Sequence, residues 1–480
     1  MVQDLKVLFL TAEAAPLVQV GGLGDMAGSL PKALRALSLD VRVALPHYPW
    51  LQLEVVHPGP RIEMQVPDGA APERASVREG RLGGVPLWLI DGSLIAEAQS
   101  VYSEPAHDAP RFLFFVDAAL EACRSLGWSP DVVHANDWHT APAASALANL
   151  RRTDPFWSSA GSLVTIHNLP YLGVGGESVV RSYGWAQEQD PRLPEWAWAL
   201  PLAVGLSAAD RLSTVSPTYA EEIQSPEFGS GLQEFIRARA GDLTGILNGI
   251  DTTRWSPQTD QALAAPFSSE NLAPRRRNKS ALRKELGLPD PPRTPLVAMI
   301  TRLDPQKGVD LALQALPEHL DEPWDFVLLG AGSPVLEQAA SAFAAEHEER
   351  VRVRIGFDPG LARRIYASAD LILIPSRYEP CGVAQMIAMR YGCLPLVRAT
   401  GGLKDTVTDA SSRAGTGFVF GPAEPAALSE TLGRALKEFP LRKRWLALQR
   451  KAMAKDFSWA RSARAYRDLY RTIRAGAATG

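Results

Sequence analysis

The chain has 480 residues, 46% of them hydrophobic and 21% charged. It is too long for a single core at about 150 residues per domain, and too apolar for a disordered or fibrous protein. Fifty Lys and Arg against 53 Asp and Glu leave a formal net charge of −3, which excludes a global basic field for nucleic acid but leaves room for a local phosphate site.

Three cysteines, Cys123, Cys381 and Cys393, lack CxxC spacing. They give neither a disulfide framework nor a structural zinc site and point to a reducing cytoplasm. The opening MVQDLKVLFLTAEAAP has only a four-residue apolar core, too short for a signal peptide. The stretch from Trp196 to Ala209 is bounded by Glu195 and Asp210 and contains Pro201, so it falls short of the roughly 20 residues a membrane span needs.

In chain order, KVLFLT predicts a buried strand, followed by a Gly-rich turn and a helix over DMAGSLPKALRAL. VRVAL at 41, PLWLID at 86, DVVHAN at 131, SLVTIHN at 162 and RLSTVS at 211 predict further strands, with helices such as RFLFFVDAALEACRSLG between them. Alternating strands and helices predict a parallel sheet covered on both faces. Residues 256–278 are rich in Pro, Ser and Ala with weak periodicity and predict a linker between an N-terminal domain, 1–255, and a C-terminal domain, 279–455. The second domain repeats the pattern with PLVAMITRLD, DFVLLGAG, VRVRIGF, LILIPSR and LPLVRATGG, and residues 456–480 predict a final helix that could return to the first domain. Two doubly wound sheets place the default ligand site in the cleft between them, at the carboxyl ends of their strands.

Four motifs sit at such ends. QVGGLGD offers Gly21, Gly22 and Gly24 before a helix, where backbone N–H groups can approach an anion. Its spacing matches neither GxGxxG nor a P-loop, so taken alone it reads as a tight turn ahead of a phosphate cradle. TRLDPQKG brings Arg302 and Lys307 to the end of a strand, where two cations can hold a diphosphate and neutralise its departure, although an isolated pair reads as a solvated loop. PSRYEPCGVAQ places Glu379 in a turn before a helix, suited to sugar hydroxyls or an oxocarbenium-like transition state, with helix capping as the plainer role. HANDWH, TIHNLPY and NGID supply His134, Asp137, His139, His167, Asn168, Asn248 and Asp251. His134 and His139 are five apart, not the i,i+4 of a helical metal pair, and buried structural histidines are the plainer reading. No DxD occurs, so a nucleotide diphosphate would be held by cations and helix N-termini.

Taken together these motifs resemble the glycogen/starch synthase family of the bacterial, ADP-glucose-using type. The resemblance runs in order from KVLFLTAEAAP to DFSWARSARAY, through VVHANDWH, VTIHNLPYLG, STVSPTYAEEI, GILNGIDTTRWSP, TRLDPQKGVDL and the specific stretch IYASADLILIPSRYEPCGVAQMIAMRYGCLPLVRATGGLKDTV. It implies a GT-B glycosyltransferase fold of two Rossmann-like α/β domains, and retaining transfer of glucose from ADP-glucose to the non-reducing end of glycogen or a maltooligosaccharide. No cofactor, metal, nucleic-acid or membrane partner is implied. Carried over, Arg302 and Lys307 become the cations on the diphosphate, Glu379 the essential carboxylate and His167 the histidine near the glucosyl group. Cys381 and Gly382 form the loop at glucose or phosphate, Asp137 and Asn248 line the same pocket, and Phe357 takes the place of an adenine-stacking tyrosine. The leaving phosphate would accept the acceptor's proton, and domain closure would exclude water.

The family's loop KTGGL reads QVGGL here: Gln19 stands for Lys and Val20 for Thr. A cationic contact is replaced by a neutral hydrogen-bonding group beside Gly21 and Gly22. That change motivates a competing reading, a glucan-binding or regulatory homologue with weakened turnover. Other retaining GT-B transferases carry E-x7-E, but the position eight after Glu379 is Ile387.

Overall fold

The computed structural model describes residues 5–66, 73–188, 190–291 and 293–477. They form two compact units: one comprises the chain up to Gly249 together with the chain from Trp459, the other Ile250–Ser458.

The strands of the first unit are β1 (Lys6–Leu10), β2 (Asp40–Pro46), β3 (Arg61–Val66), β4 (Glu73–Leu82), β5 (Val85–Gly92), β6 (Val132–Asn136), β7 (Gly161–Ile166), β8 (Arg211–Thr214) and β9 (Leu243–Gly245). They hydrogen-bond in the order β3-β4-β5-β2-β1-β6-β7-β8-β9. From β5 through β9 every pairing is parallel. Val7, Leu8, Phe9 and Leu10 are all fully buried, the unalternating pattern of a strand covered on both faces. The expected parallel sheet also carries an added wing, in which β3, β4 and β5 pair antiparallel. RIEMQV and much of ERASVREGRL expose charged side chains, so they lack the continuous apolar run that marks the central strands.

The helix Trp459–Ala477 belongs to this unit. Its buried Tyr466, Tyr470 and Ile473 recur at i, i+4 and i+7. Tyr470 Oη lies 2.8 Å from His134 Nδ1, and His134 Nε2 lies 2.6 Å from Thr165 Oγ1. The buried histidine thus ties the last helix to β6 and β7.

The second unit contains β10 (Leu296–Ile300), β11 (Asp325–Gly330), β12 (Val351–Ile355), β13 (Leu371–Ile374), β14 (Leu394–Arg398) and β15 (Phe418–Phe420). All pairings are parallel, in the order β12-β11-β10-β13-β14-β15. This is the doubly wound order that reverses direction between its first and fourth strands. Val297, Met299, Phe326, Leu328, Leu371, Leu373 and Trp445 are among its core residues.

Residues 256–278, expected as a linker, lie inside this unit. Asn278 accepts from Ala265 N at 2.9 Å and donates to Ala265 O at 2.7 Å. Asp260 accepts from Arg363 at 2.7 Å and from Tyr391 Oη at 2.5 Å. Residues 256–274 form turns held by these side chains and by local backbone bonds such as Phe267 N to Pro257 O, and residues 275–278 open the helix Arg275–Leu286. The seam accordingly falls at residue 250, ahead of the expected position.

Among the described residues no helix is long and apolar enough to cross a membrane.

Candidate active site

In the second unit the carboxyl ends of β10 and β13, where the strand order reverses, open onto a cavity of about 200 Å³ lined in part by Arg302, Lys307, Ser376, Glu379, Gly382 and Gln385. Such a reversal leaves a crevice that neighbouring connections cannot fill. After β10 the chain turns sharply because Asp304 Oδ1 accepts from Gln306 N at 2.7 Å, capping the short helix Pro305–Lys307. The turn brings Lys307 Nζ to 2.9 and 2.7 Å from the two oxygens of Glu379. Ser376 Oγ donates to Glu379 Oε2 at 2.9 Å. Glu379 is itself buried, so this carboxylate has a fixed orientation.

Arg302 differs. Its side chain is 58% exposed and lies 3.4 Å from Asp304, leaving most of the guanidinium to solvent. Cys381 is buried. Its carbonyl and that of Gly382 accept from Gln385 Nε2 at 3.1 and 2.9 Å, which fixes the loop beside Glu379. Gly382 has φ +72, and a Cβ there would stand 2.6 Å from Gln385 Oε1 and 3.1 Å from Glu379 Cγ. Only glycine lets the chain pass so close to the carboxylate. Phe357 is not part of this group. It follows β12, is 94% exposed, and borders a separate surface hollow with Glu285, Arg354 and Asp358.

In the first unit the order reverses between β1 and β6. Directly after β6, Asp137 has φ +54, a left-handed conformation that Asp tolerates better than most residues. Its Oδ1 accepts from the N–H groups of His167 at 2.6 Å and Asn168 at 3.3 Å. Burial pushes its carboxyl up to about 7, against the opposing effect of those two hydrogen bonds. Asn136 donates its amide to Leu10 O at 2.9 Å, so its Oδ1 faces His167 Nε2 at 2.9 Å. That network assigns the proton to Nε2 and leaves Nδ1 an acceptor. Burial lowers the His167 pKa to about 3, so the ring is neutral at physiological pH. Asn248 is buried, and its Oδ1 has no hydrogen-bond partner among the described residues. Gln19, Val20, Gly21 and Gly22 are exposed.

The structure therefore groups Arg302, Lys307, Glu379, Cys381 and Gly382 in one unit, and joins Asp137 to His167 in the other. Glu13, Tyr102, Asn136, Ser376 and Gln385 were not anticipated. Glu13 lies three residues past a buried strand in an apolar context, and a lone carboxylate there was its only signal.

Residues 6–238 match the family model described as the starch synthase catalytic domain, and residues 279–451 match glycosyl transferases group 1. A glycogen synthase of Anaeromyxobacter sp. is 43% identical over 98% of this chain and its own full length. One from Moorella thermoacetica is 40% identical over 98% of this chain and 97% of its own. The catalytic domain of starch synthase IV from Arabidopsis thaliana, bound to ADP and acarbose, superposes with a TM-score of 0.89 at 34% identity, covering 98% of this chain and all of that one. The two α/β sheets are those of a GT-B glycosyltransferase. The chain belongs to the glycogen/starch synthase family.

Proposed function

We propose that the chain is a cytoplasmic glycogen synthase, transferring glucose from ADP-glucose to the non-reducing end of an α-1,4-glucan, glycogen or a maltooligosaccharide, with retention of configuration. The convergence of Lys307, Arg302 and Glu379 on one cavity at the reversal of a doubly wound sheet supports it most directly. During transfer the bond from glucose C1 to the diphosphate breaks, and a bond from C1 to the acceptor O4 forms on the same face. The O4 proton passes to the departing phosphate oxygen. Lys307 then shares its charge between Glu379 and the growing phosphate charge, while the solvent-facing Arg302 closes on the diphosphate. Phe357 stands two strands from β10, about 10 Å at ordinary strand spacing. A ribose diphosphate can bridge that distance and lay adenine on the phenyl face. His167 Nδ1 supplies a neutral acceptor for a sugar hydroxyl.

Purified chain given ADP-glucose and maltoheptaose is expected to release ADP and lengthen the oligosaccharide. Neither product forming would reject the assignment. A strong preference for UDP-glucose in direct competition would reject the donor and the role of Phe357.

Gln19 and Val20 favour a second reading, a homologue with weakened turnover. The double substitution Gln19→Lys, Val20→Thr is expected to raise donor kcat/KM about tenfold, the difference between a neutral and a charge-assisted hydrogen bond. A parent without turnover that becomes active on this change would favour the second reading instead.

A further inference from the structure

The helix Gly22–Arg35 begins at an N-cap, Gly21, that has no side chain to offer its orphan amides. A distant carboxylate instead holds the two amides that lead into its first turn. Glu13, only 2% exposed, accepts on Oε2 from Val20 N at 2.5 Å and Gly21 N at 2.9 Å. Its Oε1 accepts from Tyr102 Oη at 2.5 Å. Burial, followed by the charge of Glu13, pushes the Tyr102 hydroxyl well above its usual range, so it stays protonated and donates. The Tyr102 ring in turn stacks on His139 at 4.7 Å. Glu13 thus fixes the chain as it enters the helix, holding the N-cap amide and the one before it, with a charge that suits the positive end of the helix.

The glycines of GGLG then separate into two kinds. A Cβ on Gly24 would lie 2.9 Å from Glu13 Oε2 and 3.2 Å from Gln19 Cα, so this glycine makes room for the carboxylate and the loop. A Cβ on Gly21 or Gly22 would meet nothing within 4 Å, and Gly21 has an ordinary extended φ of −142. Nothing within the described chain requires those two to be glycine.

We propose that Glu13 is a positioning residue of the donor site, an internal anion that fixes the 19–22 loop so that the bare faces of Gly21 and Gly22 stay open to a nucleoside diphosphate sugar. The inference rests on the function proposed above. It also narrows the phosphate-cradle expectation. The amides of Val20 and Gly21 are already taken, which leaves the first-turn amides of the helix and the glycine Cα faces for the ligand.

Glu13→Gln keeps the shape, removes the charge and leaves one accepting oxygen for three donors. Donor KM is expected to rise about tenfold and ADP affinity by calorimetry to fall to match, with KM for maltoheptaose unchanged. Tyr102→Phe removes one bond and leaves both loop amides held; a rise of about threefold in donor KM is expected. Three results would overturn the proposal: a folded Glu13→Gln variant with unchanged donor KM, equal losses for donor and glucan, or tighter ADP binding, which would make Glu13 a competitor of phosphate. If Glu13→Gln does not fold, unchanged donor KM and ADP affinity in Tyr102→Phe overturn it as well. ADP binding is read without turnover, so a parent that fails to elongate glucan would reject the function while the binding comparison still decides the role of Glu13.

Discussion

Glu379→Gln is expected to lower kcat by about three orders of magnitude or more and to destabilise the second unit as well. The carboxylate is held on both oxygens by Lys307, at 2.9 and 2.7 Å, and by Ser376 at 2.9 Å. The paired side chains are only 17% and 10% exposed. A neutral amide of the same shape leaves the ammonium without its counter-charge, and breaking a pair buried to this degree costs about 3–5 kcal/mol. Lys307→Met should be destabilising for the mirror reason. The double variant removes both charges and is expected to recover most of the lost stability while remaining inactive, because no carboxylate is left beside the sugar and Arg302 is the one cation of the pair left for the phosphate. Urea midpoints for the two single variants and the double, with kcat for each, close this cycle. A Glu379→Gln enzyme within tenfold of the parent in kcat would remove Glu379 from the chemistry. A double variant no more stable than either single would show that the pair is not the source of the loss.

The central strands were legible because both faces of each are covered: KVLFL, VVHAN and DFVLLG are runs without alternation, and few other structures ask for that. The wing formed by β3 and β4 was not, because its exposed arginines and glutamates dilute the apolar signal below that of a loop. In the site, Glu379, Lys307 and Arg302 were legible as charged residues at strand ends. Their unequal roles were not. That Lys307 grips Glu379 while Arg302 faces solvent depends on the Asp304 cap that turns the intervening segment. Ser376 and Asn136 were silent because each acts on one neighbour through one atom, and a serine or asparagine in a loop carries no pattern. Residues 256–278 were misleading in the opposite sense: Pro- and Ser-rich composition usually marks a linker, but here Asp260 and Asn278 anchor an irregular segment to the second sheet's helices.

Asp137 should leave a pH signature of the less common sign. Its folded pKa, about 7, lies above the roughly 3.9 of an unfolded aspartate. Between about pH 4 and 7 the native chain therefore retains a proton that the unfolded chain has released, and this group's contribution to stability declines as pH rises, by up to about 1.4 kcal/mol per unit, then levels off. The charge of Glu13 pushes the same way as burial. His139 and His167 act in opposition: burial first lowers each to about 3, so they take up protons on unfolding below about pH 6.5 and their contribution rises with pH. The parent's own curve is a sum of opposed terms, and the difference between parent and Asp137→Asn isolates the aspartate. Asparagine tolerates the φ of +54 and keeps an oxygen for the amides of His167 and Asn168. Its advantage over the parent is expected to be small near pH 4 and to grow to a few kcal/mol at pH 8, read from urea midpoints at both values. Asp137→Ala is expected to lose stability at both, because alanine in the left-handed region is strained and both amides lose their acceptor. An Asp137→Asn difference that does not change between pH 4 and 8 would mean that the carboxyl titrates normally, and that the two amide hydrogen bonds offset its burial.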